Sequence, residues 1–159
     1  MSRRVSRRWA RDTLRTRCAN CTTGCFTTGD NRIPRSNMQE QAIPLCPGAD
    51  LVEGGPAVPF DVAYAGQTCR AFAIRFEGQV YAFLNRCTHV AMEMDYQPDR
   101  FFDDSGQWLL CATHGATYRP DTGECAAGPC RGGLVKIALS ERGGVVHWHT
   151  AWNLQPVEF

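Results

Sequence analysis

The chain has 159 residues, 43% of them hydrophobic, and 15 Gly with 9 Pro make it rich in turn-formers, which bounds it to one modest domain. No apolar run approaches the length that crosses a bilayer, so membrane insertion is not expected. The formal net charge of +1 hides an asymmetry: residues 1–37 set nine arginines against Asp12 and Asp30, net +7, while residues 38–159 set eight basic against fourteen acidic side chains, net −6.

The basic segment 1–37 has few aliphatic residues and no helical or alternating apolar period. It cannot bury enough surface to offset the entropy of ordering it, so it reads as a disordered extension. No apolar core follows its arginines, which argues against a secretory or twin-arginine signal. The composition loosely fits an organelle transit peptide or a nucleic-acid-gripping tail. The plainest reading is an upstream extension of a domain that begins near Met38, and no nucleic-acid partner is expected of that domain. Cys18, Cys21 and Cys25 form a C-x-x-C-x-x-x-C run with no fourth ligand nearby, and metal binding is not expected there. Without a secretory signal, nine cysteines are expected as thiols or metal ligands in a reducing, cytoplasmic setting rather than as a disulfide framework.

From Ile43 onward short apolar runs alternate with turn signals, the pattern of an all-β domain spanning 43–150, followed by a tail at 151–159. Residues 44–55 read as a strand fragment and a polar turn. Residues 58–65 and 70–76 are strand-like, the latter alternating Phe72, Ile74 and Phe76. Glu77-Gly78 is a hairpin turn returning into a strand at 80–84. The polar, acidic stretch 92–107 is expected as a loop. Short strands follow at 108–111, 115–118, 134–138 and 145–149, with tight turns at 121–123 and 142–144. This spacing predicts a small antiparallel barrel or sandwich without a long helix. Cys46 and Cys69 are expected as small core residues, and Phe72, Phe83, Trp108 and Trp148 as core aromatics. His147 and His149 flank Trp148 at period two and are expected on a solvated face.

The chemistry lies in Cys87-Thr88-His89 and Cys111-Ala112-Thr113-His114, each just after a predicted strand. Two thiols and two imidazoles suit either a four-coordinate zinc ion or a binuclear iron–sulfur centre with thiolates on one iron and imidazoles on the other. Zinc fingers usually pair Cys with Cys and His with His. Here each loop carries one of each, as two loops spanning a binuclear centre would.

The run from Asn85 to Gly133 resembles the cluster-binding region of Rieske proteins: C-T-H (87–89), C-x-x-H-G (111–115), Tyr118, the turn Asp121-Thr122-Gly123, and Gly128-Pro129. The preceding 76–86 resembles the family's hairpin into the first ligand loop, and the likeness extends over roughly 43–150. It implies a base sheet or sandwich carrying a subdomain of two ligand loops, and one [2Fe–2S] cluster. Cys87 and Cys111 would hold the buried iron, and His89 and His114 the outer one. Gly115, Ala116 and Tyr118 would line the cluster, and Gly128-Pro129 would correspond to the proline loop that covers it. The high-potential members tie their loops with a disulfide whose positions fall at Met92 and Thr113 here, and they carry a serine where Ala116 stands. Fewer hydrogen bonds to the cluster sulfurs imply a low potential. Cys125 and Cys130 bracket the proline loop and are expected as reduced thiols.

Only four histidines are present, so no 2-His-1-carboxylate iron site fits beside the cluster within this sequence. The resemblance therefore implies an electron carrier like the ferredoxins of multicomponent oxygenases, between a flavin-containing reductase and a terminal oxygenase. Alternatives are a permanently bound electron-transfer subunit, or an iron–sulfur sensor using its basic arm.

Overall fold

The computed structural model of the chain describes residues 40–95 and 97–158. The basic segment and its three cysteines lie outside the described residues. Among the described residues eleven strands form three sheets: β1 (Ala42–Pro47), β2 (Val58–Tyr64), β3 (Gln67–Phe76), β4 (Gln79–Leu84), β5 (Leu109–Leu110), β6 (Thr117–Tyr118), β7 (Cys125–Ala127), β8 (Lys136–Ile137), β9 (Leu139–Arg142), β10 (Val145–His149) and β11 (Leu154–Pro156). A five-stranded sheet has the order β11-β2-β3-β4-β8, and two three-stranded sheets run β1-β10-β9 and β5-β6-β7. Every strand pair is antiparallel. Among the described residues no helix is long and apolar enough to cross a membrane.

Three two-residue turns set the registers. Ala65-Gly66, Glu77-Gly78 and Gly143-Gly144 all have positive φ at both positions, the geometry whose twist matches the flanking strands. The predicted turn at Glu77-Gly78 therefore joins Phe76 to Gln79 directly across the ladder. The carboxylate of Glu53 accepts from the backbone N–H groups of both turn residues.

The alternation in β3 and β4 divides the domain into two cores. Phe72, Ile74 and Phe83 face one side and pack with Met94, Phe101, Leu109, Cys87, Cys111 and Tyr118. Ala71, Ala73, Ala82 and Leu84 face the other and pack with Val62, Ile137, Val146 and Trp148. Large side chains thus lie under the loops that carry the two Cys/His motifs, and mostly small ones face the β1-β10-β9 sheet. Arg75 joins that sheet to β3: its guanidinium donates to the carbonyls of Gly48 and Leu51 and pairs with Glu141 at 3.1 Å.

Several expectations need correction. Trp108 is not a core residue but 36% exposed, with the Arg119 guanidinium over its ring. His149 is not on an open face: its ring is held between Glu40 (3.1 Å) and Ser140 (2.8 Å). Cys125 and Cys130 are joined in a disulfide rather than reduced. Cys46 is buried as expected, while Cys69 is half-buried against the same core. Beyond residue 150, β11 pairs with β2 as the edge of the five-stranded sheet.

Candidate metal centre

The two motif loops emerge side by side. The first follows β4, where Asn85 begins a run without regular structure. The second is the connection between β5 and β6, which pair as Leu109↔Tyr118 and Leu110↔Thr117. Cys111 N–H donates to Ala116 carbonyl (2.8 Å) and Gly115 N–H to Cys111 carbonyl (2.9 Å), so the second loop is a closed turn. In the first loop, Cys87 N–H donates to Met92 carbonyl at 2.9 Å.

Met92 and Thr113 cannot form a disulfide, and hydrogen bonds hold the loops together instead. Met94 is the link: its carbonyl accepts from Ala112 N–H (2.8 Å), and its own N–H donates to the Asn85 side-chain oxygen (2.8 Å). Asn85 is itself buried and donates to Asp95 at 2.6 Å. A second tie is Tyr118 on β6, whose hydroxyl accepts from Thr88 N–H (3.0 Å) and lies 3.2 Å from the Cys87 sulfur. Replacing Asn85 by Ala leaves the buried Met94 N–H without a partner. The expected loss is about 1–3 kcal/mol of stability, read by denaturant unfolding, with Asn85→Asp retaining part of it through the remaining acceptor.

Burial separates the four motif side chains by type. Cys87 (4% exposed) and Cys111 (1%) sit in the core beneath the loops. His89 and His114 are exposed at the tip, their rings 5.0 Å apart and nearly perpendicular. Burial raises the Cys87 thiol pKa, but hydrogen bonds from Tyr118 and from the N–H groups of His89 and Val90 outweigh it, and the group is held below the ordinary thiol range. Burial raises Cys111; the N–H groups of Thr113 and His114 oppose this, while its hydrogen bond to the Cys87 sulfur adds to it. The loops thus present amide donors to both sulfurs; the balance favours the thiolate at Cys87, whereas at Cys111 burial prevails and the thiol is held above its ordinary range.

The other expected residues surround this group. Ala116 and Tyr118 are fully buried in the same core. Gly115 has φ 71° and closes the second loop. Gly128 lies so close that a Cβ there would stand 2.6 Å from the Gly115 carbonyl oxygen, so the Gly128-Pro129 segment lies directly on the second loop. Sequence reasoning missed Asn85 and Met94, which carried no signal beyond a polar residue before the motif and an apolar one inside a polar stretch.

Among the described residues no three His, Cys, Asp or Glu side chains converge on one point. Two thiols and two imidazoles are the donor types of a binuclear centre with thiolates on one iron and imidazoles on the other.

Known proteins point the same way. A family model for the Rieske [2Fe-2S] domain matches residues 41–138. Solved structures with this fold include the Sphingomonas yanoikuyae B1 ferredoxin, with a TM-score of 0.54 at 23% identity over 70% of this chain and 100% of that one. The terminal oxygenase of carbazole 1,9a-dioxygenase from Novosphingobium sp. KA1 gives 0.53 at 24% identity over 68% of this chain. The match spans only 29% of that oxygenase's length. A chain from a complex of reduced oxygenase and oxidized ferredoxin in carbazole 1,9a-dioxygenase gives 0.51 at 24% identity, over 67% of this chain and 99% of that one. Comparison with curated proteins gave no match. A Rieske domain implies one Rieske-type [2Fe–2S] cluster, and two buried thiols with two exposed imidazoles are the donor types that such a cluster takes. With the matched region covering more than half of its length, the chain belongs to the Rieske [2Fe-2S] domain family.

Proposed function

We propose that Cys87 and Cys111 ligate one iron and His89 and His114 the other, and that the chain is a one-electron carrier between a flavin-containing reductase and a terminal oxygenase or similar oxidoreductase. The observation that carries this reading is the sorting of the four side chains: thiols in the core, imidazoles at the exposed tip. A bound [2Fe–2S] cluster supplies reversible storage of a single electron and offers no open position for substrate. The protein's part is to orient and insulate. Asn85 and Tyr118 fix the loops, amide N–H groups face the sulfurs, and Gly128-Pro129 shields one flank. His89 and His114 offer the shortest route to a docked protein. That the Sphingomonas yanoikuyae B1 ferredoxin is matched over 100% of its chain supports the carrier role. The net charge of −6 over residues 38–159 favours transient docking on a basic partner patch, with on-rates that fall as salt rises.

The test is purification of the full chain with assay of iron and acid-labile sulfide, followed by EPR after reduction. Equal iron and sulfide with a Rieske-type signal supports the reading, while a colourless, EPR-silent protein with stoichiometric zinc overturns it. Rapid mixing with a reduced flavin reductase then tests carriage.

We place the potential toward the low end of the family's range. Ala116 brings no hydroxyl to the sulfurs, whereas the phenol of Tyr118 is in place beside Cys87. Ala116→Ser is expected to raise the midpoint by roughly tens of millivolts, since a donor to a sulfur stabilises the more negative reduced state. Protein-film voltammetry reads this directly, and an unchanged midpoint counts against the account.

A further inference from the structure

The disulfide between Cys125 and Cys130 sits on the wall of the cluster site. Cys125 opens β7 opposite Tyr118 of β6, the residue whose hydroxyl reaches the first ligand loop. Both cysteines pack against the core that contains Cys87, Cys111, Ala116 and Tyr118. Between them the chain turns at Gly128 (φ 85°) with its backbone against Gly115 and Ala116. The bond spans a sequence separation of 5 and closes a small ring around the stretch whose Gly128 lies on the second loop.

Little else anchors that stretch. The pairing of β6 with β7 is short and shifts register between Thr117 and Tyr118. Among the described residues, positions 128–133 form no backbone–backbone hydrogen bond. Residues 126–129 are exposed and the two cysteines only half-buried, so a small or protein-borne dithiol has access to the bond.

We propose that Cys125 and Cys130 form a thiol–disulfide switch acting on the cover of the cluster site, a reading that rests on the cluster assignment above. Oxidised, the pair clamps Gly128-Pro129 onto Gly115 and Ala116; reduced, it releases that segment and admits water to the flank beside His114. The reductant is a dithiol of the thioredoxin or dihydrolipoamide class. Its thiolate attacks one sulfur, the Cys125–Cys130 bond breaks as a mixed disulfide forms, and the second thiol displaces the first cysteine. Two electrons and two protons end on Cys125 and Cys130, and the reductant leaves as its own disulfide. A local redox change then biases an element that has two arrangements.

The experiment is hydrogen–deuterium exchange on the full-length holoprotein poised with oxidised or reduced dithiothreitol, the state of the pair being read by alkylation and mass spectrometry. Reduction is expected to speed exchange about tenfold at the hydrogen-bonded amides beside the clamp, those of the paired strands β6 and β7 and of Gly115, leaving 71–74 in β3 unchanged, because only locally anchored amides depend on the clamp. The double variant Cys125→Ser/Cys130→Ser is expected to exchange fast in both conditions. Equal exchange in the two verified states overturns the proposal, as does a pair that stays alkylatable in air-equilibrated protein. Iron and sulfide assayed on the same samples separate the two readings. Switching exchange without a cluster sinks the carrier assignment alone, and a cluster with static exchange sinks the switch alone.

Discussion

Replacing Cys111 by Ser is expected to eliminate the iron–sulfur cluster and to weaken the fold beneath it. The side chain is almost fully buried, and its sulfur faces the amides of Thr113 and His114 and the sulfur of Cys87. Serine preserves the size of the side chain and the turn closed by the Ala116 carbonyl. Its hydroxyl, however, does not ionise near neutral pH and is a far poorer ligand for iron than a thiolate. The variant is expected to contain no detectable iron or acid-labile sulfide and to lose its thiolate-to-iron colour. It also buries a hydroxyl among Phe72, Leu109 and Met94, which costs about 1–3 kcal/mol where a partner is lacking.

His114→Ala makes the contrast. That ring is exposed and contributes no core packing, so the same loss of iron is expected with apo-protein stability within about 0.5 kcal/mol of wild type. Iron and sulfide analysis beside denaturant unfolding of the apo forms separates the two effects. A Cys111→Ser protein that retains a full cluster would remove this residue from the ligand set.

The site was more legible in the sequence than its support. Cys87, His89, Cys111 and His114 stood out because their types and spacing are unusual, and the folded chain brings the two loops side by side. The β3–β4 hairpin was legible because Glu77-Gly78 is a local signal flanked by alternating apolar residues. β7 escaped because Cys-Ala-Ala has little strand preference and acquires its geometry from Tyr118 across the ladder. Likewise β11 is three residues long and exists only because β2 offers an edge. Met94 and Phe101 were hidden in a polar, acidic stretch, yet both are buried. Nothing local marks them, since what buries them is the aromatic face of β3. Trp108 misled for the opposite reason: a two-residue strand turns Leu109 inward and leaves its neighbour outside. The Cys125–Cys130 bond depends on a turn at Gly128 that spacing alone does not specify.

That aromatic face bears the second large effect, Phe72→Ala. Phe72 lies mid-strand in β3 with no exposed surface. Its ring stacks on Phe101 with centroids 3.7 Å apart and planes 7° from parallel, and it meets Phe83 at 6.0 Å. Truncation removes the ring and leaves a cavity between a rigid sheet and the loop that carries Phe101, with an expected cost of about 3–5 kcal/mol. Set against a total stability of about 5–15 kcal/mol for a domain of this kind, the loss is severe. It should also reach the site. The Phe101 carbonyl accepts from Leu110 N–H at 2.7 Å, one residue before Cys111, so a Phe101 free to sink into the cavity pulls on the second ligand loop. Denaturant unfolding of Phe72→Ala and the milder Phe72→Leu measures the cost, and loss of visible absorbance under an iron chelator measures the coupling. Cluster loss is expected to accelerate in the order wild type, Leu, Ala. A stability change below about 1 kcal/mol for the alanine variant would mean that the loop, not the sheet, supports itself.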